Sequence, residues 1–463
     1  MTKSVQDLKA KLIECIREPT PEKVSRRADY NDAMRVHATI KQRAATGLLA
    51  LLGPEAYLDN EKILLALDNT PLTYERDGQS IETTGMMDRL KHVPEYLEDM
   101  GQIASDAVAE LCIQYKRRLC KVKVYGVGGS ATPAAMAREI IENSGRLGFD
   151  FEVVRRDEPN FNAVDSNTLL IFSSFSGNTE ETINCLKLAA KSGRATGRMV
   201  AMSTGGKLEE KAKRRGVPWI RIPCRVHQPR ESLALQLVAI LRIISDLELP
   251  SGAPDVEPYR LEDQTLQAAG QIVRDLHAEV EQQVPFRRNQ AKQIAAKLLR
   301  GDLGGRGAHP RLPRIPIVLS SASNEAVAYE FYTQLCEASK IVCHVASYPE
   351  ALHNLVECMK FSLASQQGVP WSLYFIKSDD DEPRVAQRWR YTLAEVFPDV
   401  EPCQFETIGE TPLERSLSAY YFNAWLRLYM AFLNGAQPLP VPTMDYMKDY
   451  MKRIKRKPSA ADK

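Results

Sequence analysis

The stretch SSFSGNTEET, residues 173–182, decides the fold that this sequence predicts. It follows an apolar run, residues 168–172, and leads into a segment whose apolar residues recur with helical spacing. An apolar run of this length that ends in a polar turn indicates a buried strand. A strand that passes directly into a helix is the repeating unit of parallel α/β sheets, so the stretch predicts that architecture.

The same turn carries the kinds of group that bind phosphate. Gly177 and Asn178 tolerate backbone angles that let successive main-chain N–H groups face one point at a helix N-terminus. Three hydroxyl groups can add hydrogen bonds to that point, from Ser174, Ser176 and Thr179. The turn by itself leaves an alternative open, in which it is an ordinary polar turn whose Thr179 caps the helix.

Strand and helix patterns alternate through most of the chain. Strand-like runs occupy residues 122–125, 151–154, 169–172, 199–202 and 219–222 in the first half, and residues 315–319, 341–345, 373–376 and 402–407 in the second. Helical patterns lie between them, which predicts an α/β fold with two doubly wound parallel sheets and a cleft between two similar halves.

Proline, glycine and changes of pattern divide the chain into five predicted parts. They are a helical N-terminal extension (1–84), a first α/β domain (85–250), a linker with a connecting helix (251–284), a second α/β domain (285–437), and a C-terminal helix with a basic tail (438–463). A glycine-rich insertion at 301–313 is predicted to be a loop.

Composition excludes several classes of function. The 463 residues are 44% hydrophobic and 26% charged, and 61 basic residues against 59 acidic ones give a net charge of only +2. Such a balance provides no overall field for nucleic acid or a membrane surface. The sequence shows no apolar leader and no run of 18 apolar residues, and its nine cysteines include no C-x-x-C pair. We therefore expect a cytoplasmic protein with reduced thiols and a small-molecule partner.

Three of the predicted strand ends carry small polar turns: GVGGS at 126–130, SSFSGNT at 173–179 and STGGK at 203–207. Ligands of doubly wound sheets bind beyond the carboxyl ends of the strands, so we expect these turns to converge. The first turn could be part of a dinucleotide fingerprint, but it lacks the third glycine, and Arg155 and Arg156 stand where an acidic residue would hold the ribose. A nicotinamide cofactor is therefore rejected.

Residues from about 85 to 455 resemble the bifunctional phosphoglucose/phosphomannose isomerase family, whose two halves are sugar-isomerase (SIS) domains. The resemblance rests on the order and spacing of seven motifs: GVGGSA at 126–131, SSFSGNTEET at 173–182, STGGKL at 203–208, QPR at 228–230, CEASK at 336–340, PEALHN at 349–354 and TMDYMK at 443–448. It implies two SIS domains and a sugar-phosphate site without cofactor or metal.

The resemblance also implies roles for individual residues. The substrate phosphate would be bound by Gly129, Ser130, Ser174, Ser176 and Thr179. The remaining roles would fall on Arg230 beside C1 and C2 of the sugar, Glu337 as the base, His353 as the group that opens the ring, and Lys448 as an assisting cation.

The chemistry of an aldose–ketose isomerase suits these residue types. One carboxylate must move a proton between adjacent carbons through an enediol(ate), and another acid or base must act on the ring oxygen. Glu337 lies in a helical pattern, and His353 follows it on the loop after the next predicted strand. Taken singly, the two residues could equally be a solvated helix glutamate and a helix-capping histidine.

The sequence also departs from the family pattern at several positions. Asparagine and arginine are expected where this chain has Cys336 and Glu330, glutamate and glycine where it has Leu355 and Cys358, and glycine and tyrosine where it has Ala134 and Phe175. These changes leave the phosphate motifs intact, but they leave open both the identity of the substrate and the turnover of the enzyme.

The first hypothesis is therefore a homodimeric isomerase of hexose 6-phosphates, in which His353 comes from the second subunit. A non-catalytic phosphosugar-binding protein is the runner-up. A SIS isomerase acting on another sugar phosphate, such as a pentose or heptose phosphate, is the third possibility.

Overall fold

The computed structural model describes residues 3–17, 27–76, 78–156, 161, 164–300, 314–357, 371–398 and 400–453. The predicted insertion at 301–313 and the family-pattern position Cys358 lie outside these residues.

The N-terminal extension is not purely helical. It has the helices α1 (Lys3–Arg17), α2 (Arg27–Leu58) and α3 (Glu61–Leu67), and then an antiparallel hairpin of β1 (Leu72–Arg76) and β2 (Gln79–Thr83). This hairpin was not predicted because its strands are short and largely exposed or half-buried, and such strands carry little apolar alternation.

The first half forms a five-stranded parallel sheet in the order β4-β3-β5-β6-β7. Its elements are α4 (Met86–Leu90), α5 (Val93–Tyr115), β3 (Lys121–Tyr125), α6 (Thr132–Asn143), β4 (Asp150–Val154), β5 (Thr168–Ser173), α7 (Glu180–Ser192), β6 (Met199–Ser203), α8 (Gly206–Lys213), β7 (Trp219–Arg221) and α9 (Leu233–Leu247). Every residue of β5 is buried, as expected for a central strand covered on both faces.

The second half forms a four-stranded parallel sheet in the order β11-β10-β8-β9. Its elements are α10 (Asp263–Val280), α11 (Gln290–Arg300), β8 (Ile315–Ser320), α12 (Glu325–Glu337), β9 (His344–Ser347), β10 (Trp371–Lys377), α13 (Pro383–Tyr391), β11 (Cys403–Glu406), α14 (Pro412–Leu433) and α15 (Pro442–Arg453). In each half the first strand lies between the second and the third, so β8 corresponds to β3 and β10 to β5. The predicted fold class is confirmed.

Helix α14 joins the parts of the molecule. Its residues are buried on all sides from Leu413 onward, apart from the half-buried Arg415. The helix packs against α10, α11 and α12 of the second half, and also against α2 and α6. A helix that is buried around its whole circumference lies within a core, and here that core extends across both halves and the N-terminal extension.

Among the described residues, none of the helices combines the length and the apolar character that crossing a bilayer requires.

Candidate active site

The turn after β5 has the geometry of an anion site. Thr179 stands at the N-cap position of α7, but its side chain makes no capping hydrogen bond. Its hydroxyl lies 2.8 Å from the Ser174 hydroxyl instead, and Ser176 Oγ accepts a hydrogen bond from the Asn178 backbone at 3.2 Å. The ordinary capping alternative therefore fails, because the Thr179 hydroxyl does not serve the first N–H groups of the helix.

The turn after β6 packs directly against the turn after β5. Gly177 has φ of 63°, and a Cβ on it would lie 1.8 Å from the Gly205 carbonyl oxygen, so only glycine fits. Thr204 donates from both its backbone N–H and its hydroxyl to the Phe175 carbonyl, at 2.8 and 2.9 Å. Two of the three predicted strand-end turns are thus in direct contact.

The third turn reaches the same place from β3. Ser130 is buried, and its hydroxyl accepts a hydrogen bond from the Phe175 N–H at 3.0 Å. A Cβ on Gly129 would lie 3.0 Å from the Cβ of Pro229 and 3.5 Å from the backbone nitrogen of Arg230. The close approach requires a small residue at Gly129 and places the phosphate turns next to the QPR motif.

Arg230 connects both halves with the C-terminal segment. It lies in a short 3₁₀ turn, Pro229–Glu231, and its side chain is only 2% exposed. One terminal nitrogen donates to Glu337 Oε2 at 3.1 Å, and the other donates to the carbonyls of Pro438 and Leu439 at 3.1 and 2.6 Å. Burial, followed by the nearby Arg427, lowers the pKa of Arg230.

Glu337 is the carboxylate of this site. It ends α12, and its side chain is 31% exposed, so that it is both held by Arg230 and open to solvent. Lys340, at a left-handed φ of 57°, turns its amine back toward the Glu337 carbonyl and also donates to the Pro440 carbonyl at 2.9 Å. Burial, with the charge of Arg230 adding to it, lowers the pKa of Lys340 to about 8.

Lys340 is a candidate site residue that the sequence reasoning missed. It belongs to the quoted CEASK motif, but nothing in that motif indicates that the chain reverses after α12 and returns the amine to the Glu337 carbonyl. Its three-residue separation from Glu337 at a helix end was the only available signal.

Glu330 and Arg427 form a second pair of ionisable residues close to Arg230 and Glu337. Glu330 occupies the position where the family pattern has arginine, and it is buried 3.8 Å from Arg427 of α14. This separation is too long for a hydrogen bond, and in the described part of the chain the Arg427 side-chain nitrogens have no hydrogen-bond partner. Burial raises the pKa of Glu330 to about 7, although the charge of Arg427 opposes the rise.

The structure does not bring two of the predicted catalytic residues into this cluster. His353 is exposed, next to a 3₁₀ turn after β9, and its backbone N–H donates to Glu350. Lys448 is exposed on α15, 3.8 Å from Asp445. Within the residues that the structure describes, no hydrogen bond or ion pair links either side chain to Arg230 or Glu337 of the same chain. Their assignment stays a prediction.

The second half is not a second copy of this site. The loop after β10, which corresponds to the phosphate turn after β5, reads SDDDE at 378–382, and its carboxylates would repel a phosphate. At the start of α12, the backbone N–H of Ala326 donates at 2.8 Å to Glu139 of α6, a buried carboxyl whose pKa burial raises to about 8. A carboxyl group of the first half therefore already accepts the hydrogen bond that this helix start would offer to a phosphate. A cleft of about 1220 Å³ beside this contact is distinct from the Arg230–Glu337 site.

Comparisons with known proteins agree with this picture. A family model described as bacterial phospho-glucose isomerase C-terminal SIS domain matches residues 287–451. A bifunctional phosphoglucose/phosphomannose isomerase from Caldicellulosiruptor bescii is 27% identical over 376 residues, which are 80% of this chain and 100% of that protein. One from Aquifex aeolicus is 27% identical over 331 residues, 71% of this chain and 89% of that protein.

Among solved structures, a hypothetical protein from Thermus thermophilus superposes with a TM-score of 0.59 at 16% identity, and the match covers 91% of this chain and 96% of that one. This likeness concerns the fold alone. The sequence matches confirm the resemblance that the motifs indicated.

Proposed function

We propose that this chain, a relative of the bifunctional phosphoglucose/phosphomannose isomerases, is an aldose–ketose isomerase that interconverts fructose 6-phosphate with glucose 6-phosphate, mannose 6-phosphate or both. The observation that carries the proposal is the 3.1 Å contact between Arg230 and Glu337, next to a turn whose hydroxyls and helix N-terminus suit a phosphate. A carboxylate held by a buried arginine and still open to solvent is suited to proton transfer on a bound sugar.

In this proposal the phosphate is held first. The hydroxyls of Ser174, Ser176 and Thr179 and the N-terminus of α7 bind its oxygens, while Ser130 and Gly129 shape the turn beside them. The sugar then extends toward Arg230 and Glu337. Binding by a remote, non-reacting group fixes the position of the reacting carbons.

Glu337 then acts as the base. Its carboxylate takes the proton from C2 of the open-chain aldose, which leaves an enediol(ate) across C1 and C2. The hydroxyl proton on O2 passes to O1, and Glu337 returns the carbon-bound proton to C1 to give the ketose. Arg230 is always charged and stabilises the negative charge on the oxygens of the intermediate. The reverse sequence converts the ketose, and return of the proton to either face of C2 would give glucose or mannose 6-phosphate.

Ring opening and assembly form the second part of the proposal. His353 and Lys448 are exposed in the single chain, and we assign both to a site that the second subunit of a homodimer completes. The protein is proposed to act in the cytoplasm, and no metal or cofactor is needed for the proton transfers described.

A coupled assay with fructose 6-phosphate tests the function directly. We expect glucose 6-phosphate or mannose 6-phosphate to form, and we expect Glu337→Gln to bind the substrate while losing about 10²–10⁴-fold in turnover, as happens when a positioned base is removed. Exchange of the C2 hydrogen with solvent deuterium should vanish with turnover, because both require the same abstraction.

Two outcomes would redirect the proposal. Binding of fructose 6-phosphate by calorimetry without formation of either product, in a panel that also includes pentose and heptose phosphates, would favour a non-catalytic phosphosugar-binding protein. A folded Glu337→Gln variant with near-wild-type exchange would assign the base to another carboxylate, with Glu350 and Glu357 next to be tested.

A further inference from the structure

Two cysteines that stand seven residues apart in the sequence meet beside Glu337. Cys336 Sγ lies 3.9 Å from Cys343 Sγ. Cys336 is exposed in the last turn of α12, directly before Glu337, and Cys343 is half-buried directly before β9. The chain between them reverses at Lys340, whose φ is 57°. The two thiols are therefore held together by the same reversal that brings Lys340 to the base.

The two thiols differ in their surroundings. Hydrogen bonds from Cys343 and from the Tyr332 hydroxyl hold the pKa of Cys336 below its ordinary value, against burial and the charge of Glu337. The contact with Cys336, with burial adding to it, raises the pKa of Cys343. The Cys336 thiol is thus exposed to solvent and ionises more readily than an ordinary thiol. The Cys343 thiol, which ionises less readily, lies next to it. This division of roles is typical of an attacking and a resolving cysteine.

We infer that Cys336 and Cys343 form a reversible disulfide when the protein meets a peroxide, and that this disulfide switches off the adjacent site. The Cys336 thiolate attacks one peroxide oxygen, the O–O bond breaks, and hydroxide leaves with a proton as water, giving a sulfenic acid. The Cys343 sulfur then attacks the Cys336 sulfur, the S–O bond breaks, and a second water leaves. Two thiols lose two electrons, and hydrogen peroxide gains them.

We expect the disulfide to change the position of Glu337. A disulfide has its sulfurs about 2.0 Å apart, so closing the 3.9 Å gap requires both cysteine side chains to change position, and with them we expect the end of α12 and the segment before β9 to shift. The Glu337 carboxylate is fixed by Arg230 and its carbonyl by Lys340, and both contacts lie one residue from the moving sulfur. A misplacement of about 1 Å can cost about 10²-fold in rate. We expect oxidation to lower turnover by about tenfold or more. This effect on turnover rests on the proposed function, whereas formation of the disulfide does not.

Peptide mapping tests the disulfide independently of activity. The full-length protein is treated with a few equivalents of hydrogen peroxide, alkylated and digested with trypsin, which separates the two thiols because it cleaves after Lys340. We expect a linked pair of peptides 315–340 and 341–360 that dithiothreitol separates. The second peptide also contains Cys358, so the experiment is repeated with Cys358→Ser, which should keep the link. Cys343→Ser should lose it, and Cys224→Ser, which removes an exposed thiol elsewhere, should not.

The activity of the same samples tests the switch. Wild-type turnover should fall on oxidation and return with dithiothreitol, and Cys343→Ser should lose this recoverable component. Absence of the linked peptides, with Cys336 still open to alkylation after peroxide, would overturn the inference. So would a linked protein whose turnover stays within twofold of the reduced form. A reduced protein that isomerises no sugar phosphate would contradict the proposed function instead, while the peptide map would still decide whether the disulfide forms.

Discussion

Replacement of Arg230 by lysine tests the central contact of the site. The guanidinium serves Glu337 with one terminal nitrogen and the carbonyls of Pro438 and Leu439 with the other. A lysine ammonium keeps the charge, but its single nitrogen cannot reach acceptors on both sides. At least one charge-assisted hydrogen bond is lost, and such a bond contributes about 1.5–3 kcal/mol. If the lost bond is the one to Glu337, the barrier rises by that amount and kcat/KM falls about 10- to 150-fold.

Arg198→Lys is the matched control. Arg198 is also buried, and its guanidinium donates to three backbone carbonyls, those of Asp165, Thr168 and Arg194. It stands directly before β6, at the end of the strand opposite to the end that leads to the site. Both variants should unfold at lower temperature than the wild type, and only Arg230→Lys should lose activity in the coupled assay. If Arg230→Lys keeps a kcat/KM within threefold of wild type while Arg198→Lys is clearly destabilised, the Arg230 guanidinium does not have the proposed role of holding Glu337 for catalysis.

Three further predictions concern other parts of the site. Ser176→Ala and Thr179→Ala should each raise KM with little change in kcat, because hydrogen bonds to a non-reacting phosphate are present in both the ground state and the transition state. An unchanged KM with a reduced kcat would contradict the assignment of these hydroxyls to the phosphate. The raised pKa of Glu330 means that the folded protein holds a proton that the unfolded chain releases, so stability falls as pH rises from about 4.5 to about 7 and is flat above that. Chemical denaturation across this pH window should show a shallower fall for Glu330→Gln than for wild type, and parallel curves would speak against a neutral Glu330 below pH 7. If His353 acts across subunits, inactive Glu337→Gln and His353→Ala proteins that are dissociated and mixed should recover about a quarter of wild-type activity. Half of the dimers in an equal mixture combine the two variants, and each of these has one intact site out of two. No recovery in verified mixed dimers would contradict the shared site.

The parts of the site that depend on local sequence could be predicted. The apolar run before Ser173 specifies a buried strand, and Gly177 specifies a tight turn, so the position of the turn at a strand end followed from pattern alone. The convergence of the turns then followed from the rule for parallel sheets. The same reasoning could not decide between a capping Thr179 and one that faces its neighbour, because that choice depends on the side-chain contact with Ser174.

The long-range contacts could not be predicted in this way. Glu330 and Arg427 pair although they lie on different helices. Arg230 donates hydrogen bonds to the carbonyls of Pro438 and Leu439, which are more than 200 residues away in the sequence. Periodicity describes which face of an element is buried, but it does not name the partner on the next element.

The segment that follows α14 has a mechanical consequence. The carbonyls of Pro438, Leu439 and Pro440 accept hydrogen bonds from Arg230 and Lys340, and directly after them the chain enters α15. Two of the three residues are prolines, whose fixed φ makes the segment stiff. A displacement of α15 would therefore pull on both cations at once. A contact that fixes the position of α15 would therefore also restrain Arg230 and Lys340, and a ligand that holds these two side chains more firmly would in turn restrain the helix.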